Sequence, residues 1–193
     1  MSLRGAQRRS NLKPRGVRLL RYARNDRSEH SFKIAYKQIV TLMKPTLIIC
    51  LGNPLMRDEG IGIRLAPELT SRLAGKPDVE VRDLGTGGLT VMHAIAGRQK
   101  VVFVDCAIMN ELPGTIRRFT PEEVLSKKIK TRYSLHEGDL LDTLRLSQTM
   151  GECPDNIVIF GIEPKKVAPG ESLTGELEKK IARYVETILK EIE

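Results

Sequence analysis

Two acidic residues and one histidine have side chains and positions suited to metal binding or acid–base chemistry. Glu59 follows the first predicted strand, Asp105 ends the third, and His136 stands at the start of a predicted helix. Two carboxylates and an imidazole suit a divalent transition metal such as zinc or nickel, and a carboxylate can also act as a general base on water. Taken singly, each has a structural explanation, because acids stabilise the first turn of a helix and a histidine can cap one. A functional site therefore requires that the fold bring the three together.

Other residue patterns exclude several kinds of site. The loop CLGNPLMRDEGIG at 50–62 matches neither GxGxxG nor GxxxxGK[ST], and its adjacent acids Asp58 and Glu59 would repel a phosphate at the helix that follows. The chain has no GxSxG segment for a serine nucleophile. Cys106 is a candidate nucleophile, but strand alternation turns its side chain away from that of Asp105. The three cysteines form no CxxC pair, which favours a reducing compartment.

The pattern from Pro45 onward alternates strands and helices. Apolar or alternating runs predict strands over 46–51, 79–83, 100–105, 114–119 and 156–161. Helical spacing predicts helices over 61–73, 89–96, 135–146 and 174–192, with another beginning at Thr120. Pro67 is expected to kink or restart the first helix, and Thr174 to cap the last. This order predicts an α/β fold with a mostly parallel sheet covered by helices on both faces.

The ends of the predicted strands indicate where a site would lie. In a parallel sheet, ligands bind beyond the carboxyl ends of the strands. Three of these ends are polar, at 52–60, at 83–88 (DLGTGG) and at 105–106. We therefore expect Glu59, Asp105 and His136 to converge at one edge of the sheet. Their side-chain atoms would lie roughly 3–5 Å apart around one metal ion.

Charge divides the chain into two parts. Residues 1–44 hold 12 of the 32 Lys and Arg residues but two of the 24 acids, so this segment carries +10 and residues 45–193 carry −2. We expect 1–44 to be a basic extension that is disordered or not native, with a helix at 30–43, and 45–193 to be a single α/β domain. The extension has three explanations: a tail that contacts nucleic acid or an acidic surface, a transit peptide, or sequence upstream of a natural start at Met43.

Composition narrows the partners and the compartment. The chain has no Trp and only 4% aromatic residues, which argues against a stacking platform for single-stranded nucleic acid. The nearly neutral domain at 45–193 is not expected to bind nucleic acid. No apolar run approaches the roughly 20 residues of a membrane helix, and no secretory signal is evident. A cytoplasmic protein without a membrane partner is therefore expected.

Five segments in order resemble landmarks of the hydrogenase maturation endopeptidases. The segments are LGNPLMRDEGIG at 51–62, DLGTGG at 83–88, VDCA at 104–107, SLHEGDLL at 134–141 and GIEP at 161–164. They are similar to that family's G-N-x-L-x-x-D-[DE]-x-x-G loop, D-G-G-T-x-G turn, strand-ending aspartate, S-x-H-x-x-x-L segment and G-x-x-P strand end. Leu84 stands where the family's turn usually has glycine. The resemblance covers about residues 46–190 and leaves out the basic extension.

The resemblance implies a fold, an activity and a set of site residues. The fold would be a three-layer α/β/α sandwich with a mostly parallel five-stranded sheet. The activity would be removal of the carboxy-terminal peptide from a nickel–iron hydrogenase large-subunit precursor after nickel insertion, as an endopeptidase of the aspartic type. Glu59, Asp105 and His136 would contact the metal and carry catalysis, with nickel supplied by the precursor and no organic cofactor. The residues expected to shape the cleft for the precursor's tail are Gly85, Thr86, Gly87 and Gly88.

Two other functions stay open. The segment LGNP at 51–54 is also similar to the opening of the peptidyl-tRNA hydrolases. That family places a catalytic histidine soon after this turn, whereas this chain has Asp58 and Glu59 there and no histidine before His93. A metal or precursor chaperone without hydrolysis would use the same site and leave the length of the precursor unchanged. Whether water is activated by a metal or by a carboxylate also stays open.

Overall fold

The computed structural model describes residues 45–125, 132–133 and 137–193. The predicted extension at 1–44, its helix at 30–43 and His136 lie outside the described residues. The proposed boundary between an extension and a domain therefore stays a prediction.

Strands and helices alternate along the described chain, as the sequence pattern predicts. The elements are β1 (Thr46–Cys50), a 3-10 turn (Arg57–Gly60), α1 (Ile61–Arg72), β2 (Val79–Asp83), α2 (Leu89–Ile95), β3 (Lys100–Ile108), β4 (Ile116–Phe119), α3 (Pro121–Leu125), β5 (Arg132–Tyr133), α4 (Glu137–Met150), β6 (Asn156–Ile162), α5 (Gly175–Glu178) and α6 (Ile181–Leu189). Helix α3 begins with the expected cap, because the N–H of Glu123 donates to Thr120 Oγ1 over 3.4 Å and the N–H of Thr120 donates to Glu123 Oε2 over 2.8 Å.

Five strands form the main sheet in the order β2-β1-β3-β6-β4. The first four run parallel, and β4 pairs antiparallel with β6. The two-residue strand β5 lies off this path and pairs antiparallel with Ala107 and Ile108 at the end of β3. The expected mostly parallel five-stranded sheet is confirmed, with β2 at an edge as its alternating sequence indicates.

Helices cover both faces of the sheet and form two separate apolar cores. On one face, Ile48 and Val102 pack with residues of α1, α5 and α6. On the other, Leu47 and Phe103 pack with residues of α2, α3 and α4. Because successive strand residues point to opposite faces, the continuous apolar runs of β1 and β3 supply both cores at once. The predicted three-layer α/β/α sandwich is confirmed.

Strand β3 is longer than the sequence predicts. It was expected to end at Asp105, but it continues to Ile108. Two pairings carry it further: Cys106 pairs with Ile162 of β6, and Ala107 pairs with Tyr133 of β5. Asp105 therefore lies within the strand, where its backbone is held by the ladder.

Two helices also differ from expectation. Helix α1 does not restart at Pro67, which lies on its exposed face. Pro67 cannot donate the backbone hydrogen bond of its turn, but its ring faces solvent and displaces no core side chain. The single helix predicted over 174–192 is divided into α5 and α6. Thr174 occupies the expected cap position without a capping hydrogen bond, because its hydroxyl donates to Asp58 instead.

No helix within the described ranges is long and apolar enough to cross a membrane.

Candidate active site

The loop after β1 is packed so closely that three of its positions require glycine. A Cβ at Gly52, whose φ is +143°, would lie 2.3 Å from the carbonyl oxygen of Glu59. At Gly60 it would lie 2.8 Å from the Cα of Pro54, and at Gly62 2.1 Å from the carbonyl oxygen of Leu51. The start of α1 therefore lies directly against the end of β1. This contact explains the glycine spacing of the first motif and sets the position of the 3-10 turn that carries Asp58 and Glu59.

Asp58 is a buried structural clamp. Its carboxylate is fully buried and accepts hydrogen bonds from the backbone N–H groups of Lys165, Lys166 and Thr174 over 3.0, 2.9 and 2.6 Å. It also accepts one from the Thr174 hydroxyl over 2.9 Å. Four donors fill the acceptor capacity of one carboxylate. Asp58 thus fixes the loop after β6 to the loop after β1.

Glu59 is the next residue, and its side chain is also buried, with 2% of its surface exposed. The 3-10 turn that carries it packs against β3. Its backbone carbonyl accepts the N–H of Asn53 over 3.3 Å. This bond joins the 3-10 turn to the beginning of the loop after β1. Burying a carboxylate is costly unless polar or charged groups surround it. Its burial at the carboxyl end of the sheet is the feature expected of a site residue.

Asp105 lies on β3 with 8% of its surface exposed. Its Oδ1 accepts the N–H of Cys106 over 2.7 Å. Asp105 lines a cavity of about 20 Å³ together with Leu140 and Leu141 of α4. Gly161 of β6 completes one wall, and a Cβ there would lie 2.8 Å from the Cβ of Ala107. The side chain of Asp105 thus faces the helix whose predicted start contains His136.

The 3-10 turn that carries Glu59 packs against β3, the strand that carries Asp105. Both carboxylates, with Asp58 and Glu163, add to the effect of burial in raising the pKa of the Cys106 thiol far above its usual range. A thiol that stays protonated is a poor nucleophile. Cys106 also packs in the core formed with α1 and α6, away from the cavity beside Asp105. The expectation that Cys106 points away from Asp105 is confirmed.

The third predicted ligand, His136, lies outside the described residues. The segments on either side of it are described, and both lie at the end of β3. Tyr133 pairs with Ala107, and Leu140 lines the cavity with Asp105. Within residues 45–125 and 137–193, no group of three His, Cys, Asp and Glu side chains could hold a metal ion. The predicted trio therefore stays a prediction.

His93, the other histidine of the domain, lies on α2 and is exposed. It lies on the face of α2 turned away from the core that Val91 and Ala94 enter.

The glycine turn after β2 lies beside the loop after β1. The N–H of Gly52 donates to the carbonyl of Gly85 over 2.8 Å, and the N–H of Gly85 donates to Asp83 Oδ1 over 2.8 Å. Gly85, Gly87 and Gly88 all have positive φ values, of 54°, 84° and 74°. A Cβ at Gly85 or Gly88 would meet nothing within 4 Å. The turn therefore presents bare backbone to open space, as a surface for an extended chain would.

Glu163 has a structural role that the sequence pattern did not reveal. It is 6% exposed, and its Oε2 accepts the N–H groups of Met109 and Glu111 over 2.5 and 3.2 Å. Its backbone carbonyl accepts the N–H of Gly114 over 2.8 Å. Glu163 therefore holds the loop after β3 at the same edge of the sheet. Its place in the GIEP segment at 161–164 was the only signal available, and that segment alone does not distinguish a loop anchor from a ligand.

The chain is similar in sequence to known proteins of one kind. A family model described as the HycI hydrogenase maturation protease matches residues 63–192. The hydrogenase 2 maturation protease of Escherichia coli (strain K12) is 30% identical over 144 residues, which cover 74% of this chain and 87% of that protein. The hydrogenase expression/formation protein HoxM of Cupriavidus necator is 30% identical over 136 residues, covering 70% of this chain and 66% of that protein.

Solved structures agree in fold. The hydrogenase maturating endopeptidase HybD from E. coli aligns with a TM-score of 0.66 at 28% identity, over 76% of this chain and 91% of that one. The [NiFe] hydrogenase maturation protease HybD from Thermococcus kodakarensis aligns with a TM-score of 0.63 at 25% identity, over 77% of this chain and 99% of that one. The matched family model covers well over half of the chain. It includes most of α1, the strands β2 to β6, and α6. The chain belongs to the hydrogenase maturation protease family, a family of peptidases.

Proposed function

We propose that this chain removes the carboxy-terminal peptide of a nickel–iron hydrogenase large-subunit precursor after nickel has been inserted. In this proposal the chain recognises the bound nickel, and the metal belongs to the substrate. Membership of the hydrogenase maturation protease family is the observation that carries the proposal. The same membership favours peptide hydrolysis over the peptidyl-tRNA hydrolase alternative.

The donor chemistry of the site supports a divalent metal as the recognised feature. Glu59 and Asp105 are buried carboxylates at one end of the sheet, and His136 is proposed to add an imidazole. Oxygen and nitrogen donors of this kind suit nickel or zinc. The segments before and after His136 both lie beside the end of β3, the strand that carries Asp105. This placement supports His136 as the proposed third ligand.

The proposed hydrolysis uses one carboxylate as a general base. A water molecule adds to the scissile carbonyl while Glu59 or Asp105 accepts its proton. The proton then passes to the leaving amine as the peptide bond breaks. A positioned base of this kind contributes about 10²–10⁴-fold to the rate. Either residue could fill this role, and the aspartic-type assignment rests on it.

The bare backbone of the glycine turn is proposed to receive the precursor's tail. Gly85 and Gly88 leave open space where side chains would stand, and Thr86 is exposed between them. The turn is hydrogen-bonded to Gly52, in the same loop as Glu59. A tail lying along 85–88 would therefore pass beside the proposed catalytic residues.

Cleavage of a purified precursor, followed by the shift of its band on a gel, tests this function. Glu59→Gln and Asp105→Asn keep the shape of each side chain but remove its charge, and each is expected to slow cleavage at least about a hundredfold. His136→Ala is expected to abolish most recognition of the nickel-loaded precursor. The matched controls are Glu171→Gln, Asp155→Asn and His93→Ala, which change exposed residues of the same types.

Two results would contradict the proposal. If wild-type protein bound the precursor and left its length unchanged, the chain would be a chaperone without hydrolytic activity. If the site variants cleaved as fast as their controls, the catalytic residues would lie elsewhere.

A further inference from the structure

Two loops at the carboxyl end of the sheet are joined by backbone hydrogen bonds. The N–H of Arg57 donates to the carbonyl of Gly170 over 2.8 Å, and the N–H of Gly170 donates to the carbonyl of Leu55 over 2.8 Å. These bonds surround a parallel bridge between Met56 and Gly170. The N–H of Lys166 is fixed nearby, because it donates to the Asp58 carboxylate over 2.9 Å. The backbones of residues 55–58 and 166–170 therefore meet in a fixed junction.

Arg57 is held at this junction in an unfavourable conformation. Its φ is 52°, in the left-handed region that residues other than glycine seldom adopt. A Cβ at Gly170 would lie 3.1 Å from Arg57 Nε and 3.2 Å from its Cγ, so the glycine makes room for the arginine side chain. Strained residues of this kind cluster at functional sites.

The guanidinium of Arg57 also has unused hydrogen-bonding capacity. Its Nε is buried and has no hydrogen-bond partner in the part of the chain that the structure describes. Buried donors without an acceptor are rare in native proteins and costly to stability. The buried Nε thus leaves the Arg57 side chain with unfilled hydrogen-bonding capacity at the junction.

Of the three cations at or beside the junction, one is paired with an acid of the described chain and two are not. The neighbouring Lys165 does have a partner, since its Nζ lies 3.0 Å from Glu176 Oε2. Arg57 and Lys166, by contrast, form no ion pair with any acid in 45–125 or 137–193. Two unpaired cations thus lie on adjoining loops.

Apolar side chains flank these cations. Leu55 is 61% exposed and Val167 is 40% exposed, and each is two residues or fewer from one of the two cations. We call this surface, made of Leu55, Arg57, Lys166 and Val167, the basic rim. The basic rim thus combines two cations that have no ion-pair partner in the described chain with two exposed apolar side chains.

We propose that the basic rim docks a segment of the precursor that carries acidic and apolar side chains, an inference that rests on the proposed function. A guanidinium binds a carboxylate through two parallel hydrogen bonds, and the ammonium of Lys166 adds a second point of attraction. Leu55 and Val167 would cover apolar side chains of the same segment. Because the rim is joined to the turn that carries Glu59, docking there would also orient the precursor toward the proposed site.

Charge removal at the rim tests this inference. The variants are Arg57→Gln, Lys166→Gln and the double variant, and the controls are Arg72→Gln and Lys76→Gln, which change exposed cations away from the rim. KM and kcat for cleavage of the purified precursor are measured at low and high salt. The double variant is expected to raise KM about tenfold or more, to affect kcat less, and to lose most of the salt dependence of KM. Arg57→Lys keeps the positive charge, so it should bind the precursor more tightly than Arg57→Gln does.

Lys166 is exposed, so Lys166→Gln leaves the fold intact and keeps the test valid if Arg57→Gln proves unstable. If wild-type protein cleaves the precursor and KM is the same in rim and control variants, the docking surface is wrong and the proposed function stands. If wild-type protein neither cleaves nor binds the precursor, both are wrong. A rise in KM that is equal at all salt concentrations would also overturn the electrostatic part of the proposal.

Discussion

The adjacent acids Asp58 and Glu59 are both buried, yet their surroundings assign them different roles. Asp58 accepts four hydrogen bonds from residues more than one hundred positions away in the sequence. Glu59 is buried in the turn that packs against β3, the strand that carries Asp105. Of this pair, the family resemblance proposed only Glu59 as a site residue, and the contacts of Asp58 show that this neighbour of Glu59 is a structural clamp.

Removing the clamp is expected to destabilise the protein strongly. Asp58→Ala would leave three backbone N–H groups and the Thr174 hydroxyl without their acceptor. Hydrogen bonds to a charged group contribute about 1.5–3 kcal/mol each, but water can reach part of the exposed loop, so we expect a total loss of about 3–5 kcal/mol. Urea denaturation measures it, with Asp155→Ala as the exposed control. A loss below 1 kcal/mol, on the order of a surface substitution, would show that the loop after β6 is held by other contacts.

The contact between α1 and the sheet determines where the first motif places its acids. Gly62 is in the first turn of α1, where a Cβ would lie 2.1 Å from the carbonyl oxygen of Leu51 and 2.5 Å from that of Val104. The first atom belongs to the residue that follows β1 and the second to the interior of β3, so neither can move without disturbing the sheet. The position of the helix, and of the 3-10 turn before it, therefore depends on the absence of one methyl group.

Gly62→Ala is expected to displace α1 and to lower both stability and cleavage activity. Gly175→Ala is the matched control, because a Cβ at Gly175 would meet nothing within 4 Å. The thermal unfolding midpoint should fall for Gly62→Ala and stay close to the wild-type value for Gly175→Ala. Equal midpoints for Gly62→Ala and wild type would mean that the close approach is not a constraint.

The end of the chain is fixed to the sheet by an ion-pair cluster around Glu191. A hydrogen bond from Arg118, at 2.7 Å, is the main cause that lowers the pKa of Glu191 to about 2, with Lys100 contributing and burial opposing. A carboxyl whose pKa is lower in the folded state stabilises the fold above its unfolded pKa, near 4.5. That contribution is lost as the pH falls from about 4.5 toward 2.

Glu191→Gln should therefore lower the free energy of unfolding at neutral pH. In the variant this free energy should also fall less as the pH is lowered. Denaturation of wild type and variant by urea at several pH values between 2 and 7 measures both effects, and their difference should shrink as the pH falls. A difference that stays constant across this range would show that the ionisation of Glu191 does not stabilise the fold.

The sequence was sufficient for the architecture but not for all of its contacts. Alternating apolar segments predicted the α/β/α layers, and the glycines of the first motif pointed to the loop that holds Glu59. The extension of β3 beyond Asp105 depends on pairing with β5 and β6, which no local pattern reveals. The hydroxyl of Thr174 donates to Asp58 and does not cap the helix that follows. Long-range polar contacts of this kind are invisible to hydrophobic periodicity.

The described domain is expected to fold without the basic segment that precedes it. Its two cores are built from residues between Leu47 and Ile188, and β1 begins at Thr46. Deleting residues 1–42 should leave circular dichroism, thermal unfolding and precursor cleavage unchanged. Loss of soluble protein on deletion would show instead that residues 30–43 pack on the domain.

The central claim is that the chain acts on a precursor whose own nickel it recognises, and one comparison tests it directly. Purified protein is analysed for bound metal and then incubated with nickel-loaded and with nickel-free precursor. We predict little metal in the isolated protein, cleavage of the nickel-loaded precursor only, and no rescue of the nickel-free precursor by added zinc. One equivalent of tightly held zinc, with equal cleavage of both precursors, would contradict nickel recognition and indicate a zinc hydrolase.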